Sequence, residues 1–329
     1  MSFSPEQLYV ITPVTNPQRY GSRWRLHEQF AEECRAHGVT LVTVEAAFGA
    51  RDHEVTVPQN GFDQGSSNLV NHYQFRTRDE LWLKENLINL GVQRLPPDWK
   101  YVAWVDGDLS FVRKDWAVET IHQLQHFHIV QMFQTAIDLG PTEQAFNMYN
   151  GFGYSFVEGL PAFTVSSNNY YGVQQNGKYW HPGYAWAARR EAFEDLGGLL
   201  DFAIMGAADH HMALSLIGHA EKSLPGGVNR NYRDLVFNWQ DRATRHIRKN
   251  IGYVPGTILH HWHGKKKDRR YIDRWEFIKK WNFDPTVDIK RDYQGLWQLS
   301  DQGLRMRNDL RSYFRARNED SIDFDERGG

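Results

Sequence analysis

The opening of the chain constrains its fold most. "QLYVITPV" reads as a strand running into a proline-marked loop, "TNPQRYGS". Arg25 to His37 reads as an amphipathic helix with Leu26, Phe30 and Ala31 on one face, and "VTLVTVEAAFG" as a second strand closed by Gly49. Strand, helix and strand in so short a span make a βαβ unit, which places the chain among α/β proteins.

The rest of the chain continues that alternation. Asp79 to Leu90, "DELWLKENLINL", reads as a helix stopped by Gly91, and "PPDW" turns the chain into a buried strand, "YVAWV". "DWAVETIHQLQHF" is expected as a helix and "HIVQMFQTAI" as one strand. Gly140 to Trp180 is rich in Gly, Asn and Tyr, with Asn176-Gly177 placed for a hairpin turn. It reads as a binding loop or lid. Arg189 to Leu196 and Asp209 to Ile217 are expected as helices and "TILHHWH" as the last strand. The tail carries a helix, "GLRMRNDLRSYFRARN", and then a polar, frayed end. We therefore expect one domain over residues 1–285 and a helical C-terminal extension over 286–329.

Composition removes several classes of function. The 329 residues suffice for a sizeable core, no apolar run is long enough to span a bilayer, and no signal peptide is read at "MSFSPEQLYVITP". The single cysteine, Cys34, excludes an internal disulfide and fits a reducing compartment, so the expected location is cytoplasmic. Net charge is −2, yet Asp241 to Lys280 holds twelve Lys/Arg against four Asp/Glu. Such a block suggests one surface for an anionic ligand, or else a solvated helix face.

Three groups of residues carry chemistry. The strand "YVAWV" ends on Asp106-Gly107-Asp108, and ligands gather at the carboxyl ends of strands in such sheets. Two carboxylates there suit a hard divalent cation, Mg²⁺ or Mn²⁺, which would neutralise a diphosphate; the alternative is a tight Asp-Gly turn. "LHHWHGKKKDRRY" sets His260, His261 and His263 before three lysines. Imidazole is a good third ligand for Mn²⁺, and the lysines are placed to meet phosphate oxygens. The three histidines cannot all converge from one strand without a bend. Asp209, in "MGAADHH", stands at a helix start as either an N-cap or a general base for a hydroxyl.

These motifs resemble those of metal-dependent glycosyltransferases of the GT-A type, and most closely the β-1,4-galactosyltransferase and polypeptide N-acetylgalactosaminyltransferase families. "WLKENLINLG", "PGYAWAARREAFEDLGGLLD" and "MGAADHHMALSL" carry the similarity, from the first strand to about Tyr271. In the last of these, Met205 stands for the families' Trp and Ala207-Ala208 for Gly-Glu; Gly206 and Asp209 match. The resemblance implies a central mixed, mostly parallel sheet flanked by helices, and a nucleotide-sugar donor, of the UDP type. It implies a divalent metal, Mn²⁺ rather than Mg²⁺, on Asp106, Asp108, His263 and His260. "HWHGKKK" also fits a pattern of retaining, glycogenin-like enzymes in which His261 would be the ligand. Pro13, Thr15, Trp82, Lys84, Asp106, Gly183 and Lys267 are expected at the donor, with Asp209 the base of an inverting transfer. The acceptor is a hydroxyl on a glycan or small molecule, or on a hydroxymethylated base in phage DNA. The rival readings are a nucleotidyltransferase, which would need a Gly-rich basic signature absent from "ITPVTNPQRY", and a non-catalytic nucleic-acid or glycan binder.

Overall fold

The computed structural model describes residues 3–55, 70–160, 180–270 and 273–324. Among them, β1 (Leu8–Thr15), β2 (Thr40–Phe48), β3 (Val70–Thr77) and β4 (Tyr101–Val105) form a run of four parallel strands in a seven-stranded sheet. β5 (Leu109–Phe111) leaves that sheet, and β6 (Ile129–Gln131) returns to it. β7 (Thr135–Leu139), β8 (Ala145–Gly151) and β9 (Trp180–His181) belong with β5 to a second sheet. β10 (Ala185–Arg189) runs antiparallel between β4 and β6, β11 (Ile251–Tyr253) pairs with β6, and β12 (Thr257–His260) joins the second sheet. The larger sheet has the order β11-β6-β10-β4-β1-β2-β3 and the smaller β5-β12-β7-β8-β9. This is the mixed, mostly parallel α/β architecture expected from the sequence.

The apolar strands are covered on both faces, as a parallel sheet requires. On one face Val10, Ala103, Val105 and Ala187 pack with Phe30 and Cys34 of α1 (Gly21–Ala36). On the other, Ile11, Val44, Val102 and Trp186 pack with α2 (Lys84–Val92) and a helical layer following it in the chain. The intervening helices are α3 (Trp116–Gln123), α4 (Phe152–Val157), α5 (Arg190–Asp195), α6 (Ala208–Leu216), α7 (Arg230–Arg242) and α8 (Asp273–Lys280). Thr43, Glu45 and the apolar residues of β2 are all buried, so this strand alternates between two cores rather than between core and water.

Several elements differ from the sequence reading. "HIVQMFQTAI" is two strands in two sheets, because the chain crosses between them at Met132–Gln134. The second helix starts at Lys84 rather than Asp79, since the Trp82 amide donates to the Ile204 carbonyl at 2.8 Å instead of to a carbonyl of the same helix. Gly91 lies inside that helix and does not stop it: a Cβ there would come within 2.8 Å of Val44 Cγ2 and 3.0 Å of Ile11 Cγ2. The glycine lets α2 lie close on the sheet. α7 was not anticipated. Of the Gly140–Trp180 segment, the first part forms β8 and α4; residues 161–179, including Asn176-Gly177, lie outside the described residues.

After residue 285 the chain forms α9 (Pro285–Asp288), a ribbon of β13 (Ile289–Arg291) and β14 (Trp297–Leu299), and α10 (Arg307–Arg315). Leu296, Leu299, Leu310 and Phe314 share a core with α2 and α6. The end of the chain is not frayed at residues 316–321: Arg317 and Glu319 are buried. The basic block does not form one surface either. Lys266, Arg269 and Arg274 face a cavity, Arg242 donates to the Leu196 carbonyl, and Lys280 pairs with Asp309.

The close fit of α2 yields a prediction whose sign is decided by magnitude. Alanine is a better helix former than glycine by about 1 kcal/mol, but overpacking a core costs about 1–3 kcal/mol. Gly91→Ala is expected to lower the denaturation midpoint. An increase in chemical or thermal stability would contradict the packing argument.

Candidate active site

The order of strands reverses at β1: β2 and β3 lie to one side and β4 to the other. A crevice therefore opens between the carboxyl ends of β1 and β4, where α/β sheets hold their ligands. A cavity of about 410 Å³ occupies it. Pro13, Thr15, Trp82, Lys84, Asp106, Asp108, Asp209, His260 and His263 all line it, so the structure brings together most of the residues singled out in the sequence.

Asp106-Gly107-Asp108 is the seam between the two sheets, since β4 ends before it and β5 begins after it. The two carboxylates go to different partners. Asp106 forms an ion pair with Lys84 at the start of α2. Asp108 faces the histidines: its Oδ2 is 2.9 Å from His263 Nε2 and 3.9 Å from His260 Nε2. Gly107 turns its missing side chain toward β1 and α1, where a Cβ would sit 3.3 Å from Thr12 Oγ1. A side chain there would crowd β1 and α1, and Gly107 also lines the cavity.

Asp108, His260 and His263 offer ligand atoms that all lie within 4.8 Å of one another. The β5–β12 ladder makes this cluster, pairing His260 with Leu109, while the His261 amide donates to the Asp108 carbonyl at 2.9 Å. One carboxylate and two imidazoles form a donor set suited to Mn²⁺ or a similar ion. Oδ1 of Asp108 is buried and has no hydrogen-bond partner among the described residues, a costly arrangement that a cation would relieve. The residues thus fit a divalent metal, with Asp106 outside the set. His261 points the other way, its Nε2 2.9 Å from Ser110 Oγ and 3.2 Å from Gln29 Nε2, as alternation along a strand dictates.

Charge states suit the same role. Burial pushes the His260 imidazole down to about 4, so it is neutral at pH 7 with a lone pair to give. Burial works to raise the Asp108 carboxyl, but His263, His260 and Arg269 outweigh it and hold it well below the usual carboxylate range. Behind His260 stands Asp138, fully buried on β7, whose Oδ1 is 2.8 Å from His260 Nδ1 and accepts from the Tyr184 hydroxyl at 3.0 Å. Lys266 completes its surroundings with an ion pair. The β7–β12 register sets Asp138 directly beside His260. Sequence reasoning missed Asp138, although a lone acid in the apolar run "TAIDLG" was a usable signal.

Asp209 sits in the first turn of α6 beneath the cavity. Its Oδ1 accepts from the His210 amide at 2.8 Å, and its Oδ2 lies where a Cβ on Gly183 would be, 2.5 Å away. A side chain at Gly183 would thus displace the Asp209 carboxylate. Gly206 and Ala207, at φ +86° and +83°, shape the loop before α6. Trp82 lies over Gly206, and the Arg317 guanidinium stands 5.2 Å from the Trp82 ring. Glu85, next to Lys84, is pushed up to about 8 by burial and by Asp209, against the pull of Lys84, so it carries its proton at neutral pH. Lys267, expected at the donor, is exposed and does not line the cavity. In the 3₁₀ turn Lys266–Arg269, residues three apart eclipse, so Lys266 and Arg269 face inward and Lys267 outward. His181, which stacks on Tyr184 at 3.6 Å, and Arg317 also line the cavity, and neither was singled out in the sequence.

No protein-family profile and no curated protein matches the chain. Among solved structures it is similar to the catalytic domain of Drosophila beta1,4-galactosyltransferase 7 in complex with xylobiose. The identity is 11%, the coverage 89% of this chain and 94% of that one, and the TM-score 0.40. It is also similar to mannosyl-3-phosphoglycerate synthase from Rubrobacter xylanophilus, at 10% identity, 88% and 83% coverage and a TM-score of 0.36. A putative nucleotide-diphospho-sugar transferase from Desulfovibrio desulfuricans G20 matches at 10% identity, 97% and 100% coverage and a TM-score of 0.31. No helix among the described residues is long and apolar enough to cross a membrane.

The buried histidines set a pH dependence of stability. Burial holds His27, His210 and His260 each down to about 4, against an ordinary value of 6.5. Below pH 6.5 the unfolded chain takes up protons that the folded chain refuses, so stability is lost as pH falls from 6.5 toward 4. Each histidine contributes about 1–2 kcal/mol of that loss by pH 5. Denaturant midpoints in metal-free buffer at pH 7.5 and 5 should differ accordingly; equal midpoints would contradict the burial of these side chains.

Proposed function

We propose that the chain is a divalent-metal-dependent glycosyltransferase of the GT-A type. It would move a sugar from a nucleoside-diphosphate donor, of the UDP type, to a hydroxyl acceptor with inversion. The observation that carries this reading is the Asp108–His260–His263 cluster, set at the strand-order reversal and facing the same cavity as Asp209. A non-catalytic binder needs neither a preformed metal cluster nor a carboxylate opposite it.

In this reading Asp108, His260 and His263 hold the cation, Mn²⁺ by the chemistry of the imidazoles. Bound there, it supplies Lewis-acid stabilisation to a diphosphate leaving group. Lys84, fixed by Asp106, places a positive charge at the donor phosphates, and Trp82 offers a flat surface to the donor. Pro13 and Thr15 form the wall contributed by β1. Asp209 takes the proton from the attacking hydroxyl, and the protonated Glu85 beside it adds no competing negative charge. The acceptor is a glycan or small-molecule hydroxyl. The separate destinations of the basic block remove the main support for a DNA acceptor.

The proposal is tested by incubating the protein with UDP-, GDP- and other nucleotide sugars plus Mn²⁺ and measuring free nucleoside diphosphate. Release is expected with one donor, and it should be abolished by EDTA and by Asp108→Asn. Turnover that survives both would overturn the metal reading.

Two further variants separate the roles. Asp209→Asn should keep donor binding and lower turnover by roughly 10²–10⁴-fold, the range of general-base catalysis. Normal turnover would leave Asp209 a helix-terminal residue only. Lys84→Ala should mainly weaken donor affinity, measured by calorimetry with the nucleoside diphosphate; unchanged affinity would remove Lys84 from the donor site.

A further inference from the structure

We infer that Glu319 is a positioning residue for the metal centre, standing behind His263 as Asp138 stands behind His260. The inference rests on the metal reading above and extends the site to the far end of the described chain.

The two imidazoles share one pattern, tight at His260 and looser at His263. His260 turns Nε2 toward Asp108 and Nδ1 toward Asp138, 2.8 Å away. His263 turns Nε2 toward the same Asp108 oxygen and Nδ1 toward Glu319 Oε2, 3.7 Å away; this is an ion-pair distance rather than a hydrogen bond, and Nδ1 has no hydrogen-bond partner among the described residues. Each ring thus lies between the shared carboxylate and a second one buried behind it. Both rear carboxylates are only 1% exposed at their side chains. A carboxylate at the remote nitrogen orients a ligating imidazole and makes it a stronger donor, and losing it typically costs 10–100-fold in metal affinity.

Glu319 is held in place from several sides. Arg23 Nη2 donates to its Oε1 at 2.8 Å and Arg317 Nε to the same oxygen at 2.6 Å. Both arginines also line the cavity. The residues flanking His263 are fastened to the same segment. Trp262 Nε1 donates to the Ser321 carbonyl at 2.7 Å. Gly264, at φ +84°, meets the segment so closely that a Cβ would lie 2.6 Å from the Asn318 carbonyl oxygen and 2.9 Å from Glu319 Cα. The glycine of "HWHGKKK" is there for this approach. The competing account is that Glu319 only ties Arg23 to Arg317, in which case its loss would lower stability and leave the metal untouched.

The test is Mn²⁺ binding to the full chain without donor or acceptor, read from the electron paramagnetic resonance signal of free Mn²⁺, alongside the melting temperature. Glu319→Gln is expected to weaken Mn²⁺ binding by about 10–100-fold. Asp320→Asn serves as a control from the same segment: it should lower the melting temperature and leave Mn²⁺ affinity unchanged. Glu319→Asp keeps the charge for both arginines and draws it back by one methylene. It should fold and bind Mn²⁺ more weakly than wild type, and it carries the test if Glu319→Gln does not fold. Wild-type Mn²⁺ affinity in a folded Glu319 variant overturns the inference and leaves the metal reading standing. No Mn²⁺ binding by the wild-type protein overturns both.

Discussion

The register of β12 between β5 and β7 places His260 opposite Leu109 on one side and Asp138 on the other. Because side chains alternate along a strand, a slip of one residue would turn His260 away and bring His261 inward. Two independent ladders oppose that slip. One is parallel, to β7, and the other antiparallel, to β5, which is joined to β4 of the larger sheet through Asp106-Gly107-Asp108. The placing of His260 beside Asp108 and Asp138 is therefore inherited from backbone pairing. The imidazole need only follow.

A cavity wall built from so many ions is a poor source of stability. Lys84 with Asp106, Lys266 with Asp138, and Arg23 and Arg317 with Glu319 all lie largely out of water. Buried pairs of this kind often contribute less than apolar packing would, because desolvation offsets their attraction. What they do is fix directions. Each cation holds one carboxylate in one orientation, and removing a partner would leave an uncompensated charge. The two apolar cores on either face of the larger sheet support this arrangement.

The strands that built the fold were legible because they are short apolar runs bounded by turn residues, and the ends of β1 and β4 pointed to the crevice. Asp108, His260, His263 and Asp209 stood out because their residue types are unusual where they occur. What the sequence concealed was relational. Nothing in "HIVQMFQTAI" says that the chain changes sheets at Met132, because both halves are equally apolar. Asp106 and Asp108 look equivalent until Lys84 claims one of them. Lys266 and Lys267 differ only through the 3₁₀ turn that follows Lys265. Glu319 sits in a polar tail whose burial depends on two arginines, one of them 296 residues away.

α1 begins without a side-chain cap of its own; instead Asp320 accepts from the Gly21 and Ser22 amides, both at 2.8 Å. A cap of this kind is typically worth about 0.5–2 kcal/mol. Here its donor and acceptor are 299 residues apart in the case of Gly21. At a synthesis rate of roughly 5–20 residues per second, the helix would wait on the order of tens of seconds on the ribosome before its cap emerges. A similar interval, 296 residues, separates Arg23 from Glu319. A nascent chain can thus assemble its sheet early while the end of α1 stays open. The knot of charge around Arg23 and Glu319 closes only after residues 317–320 have been made.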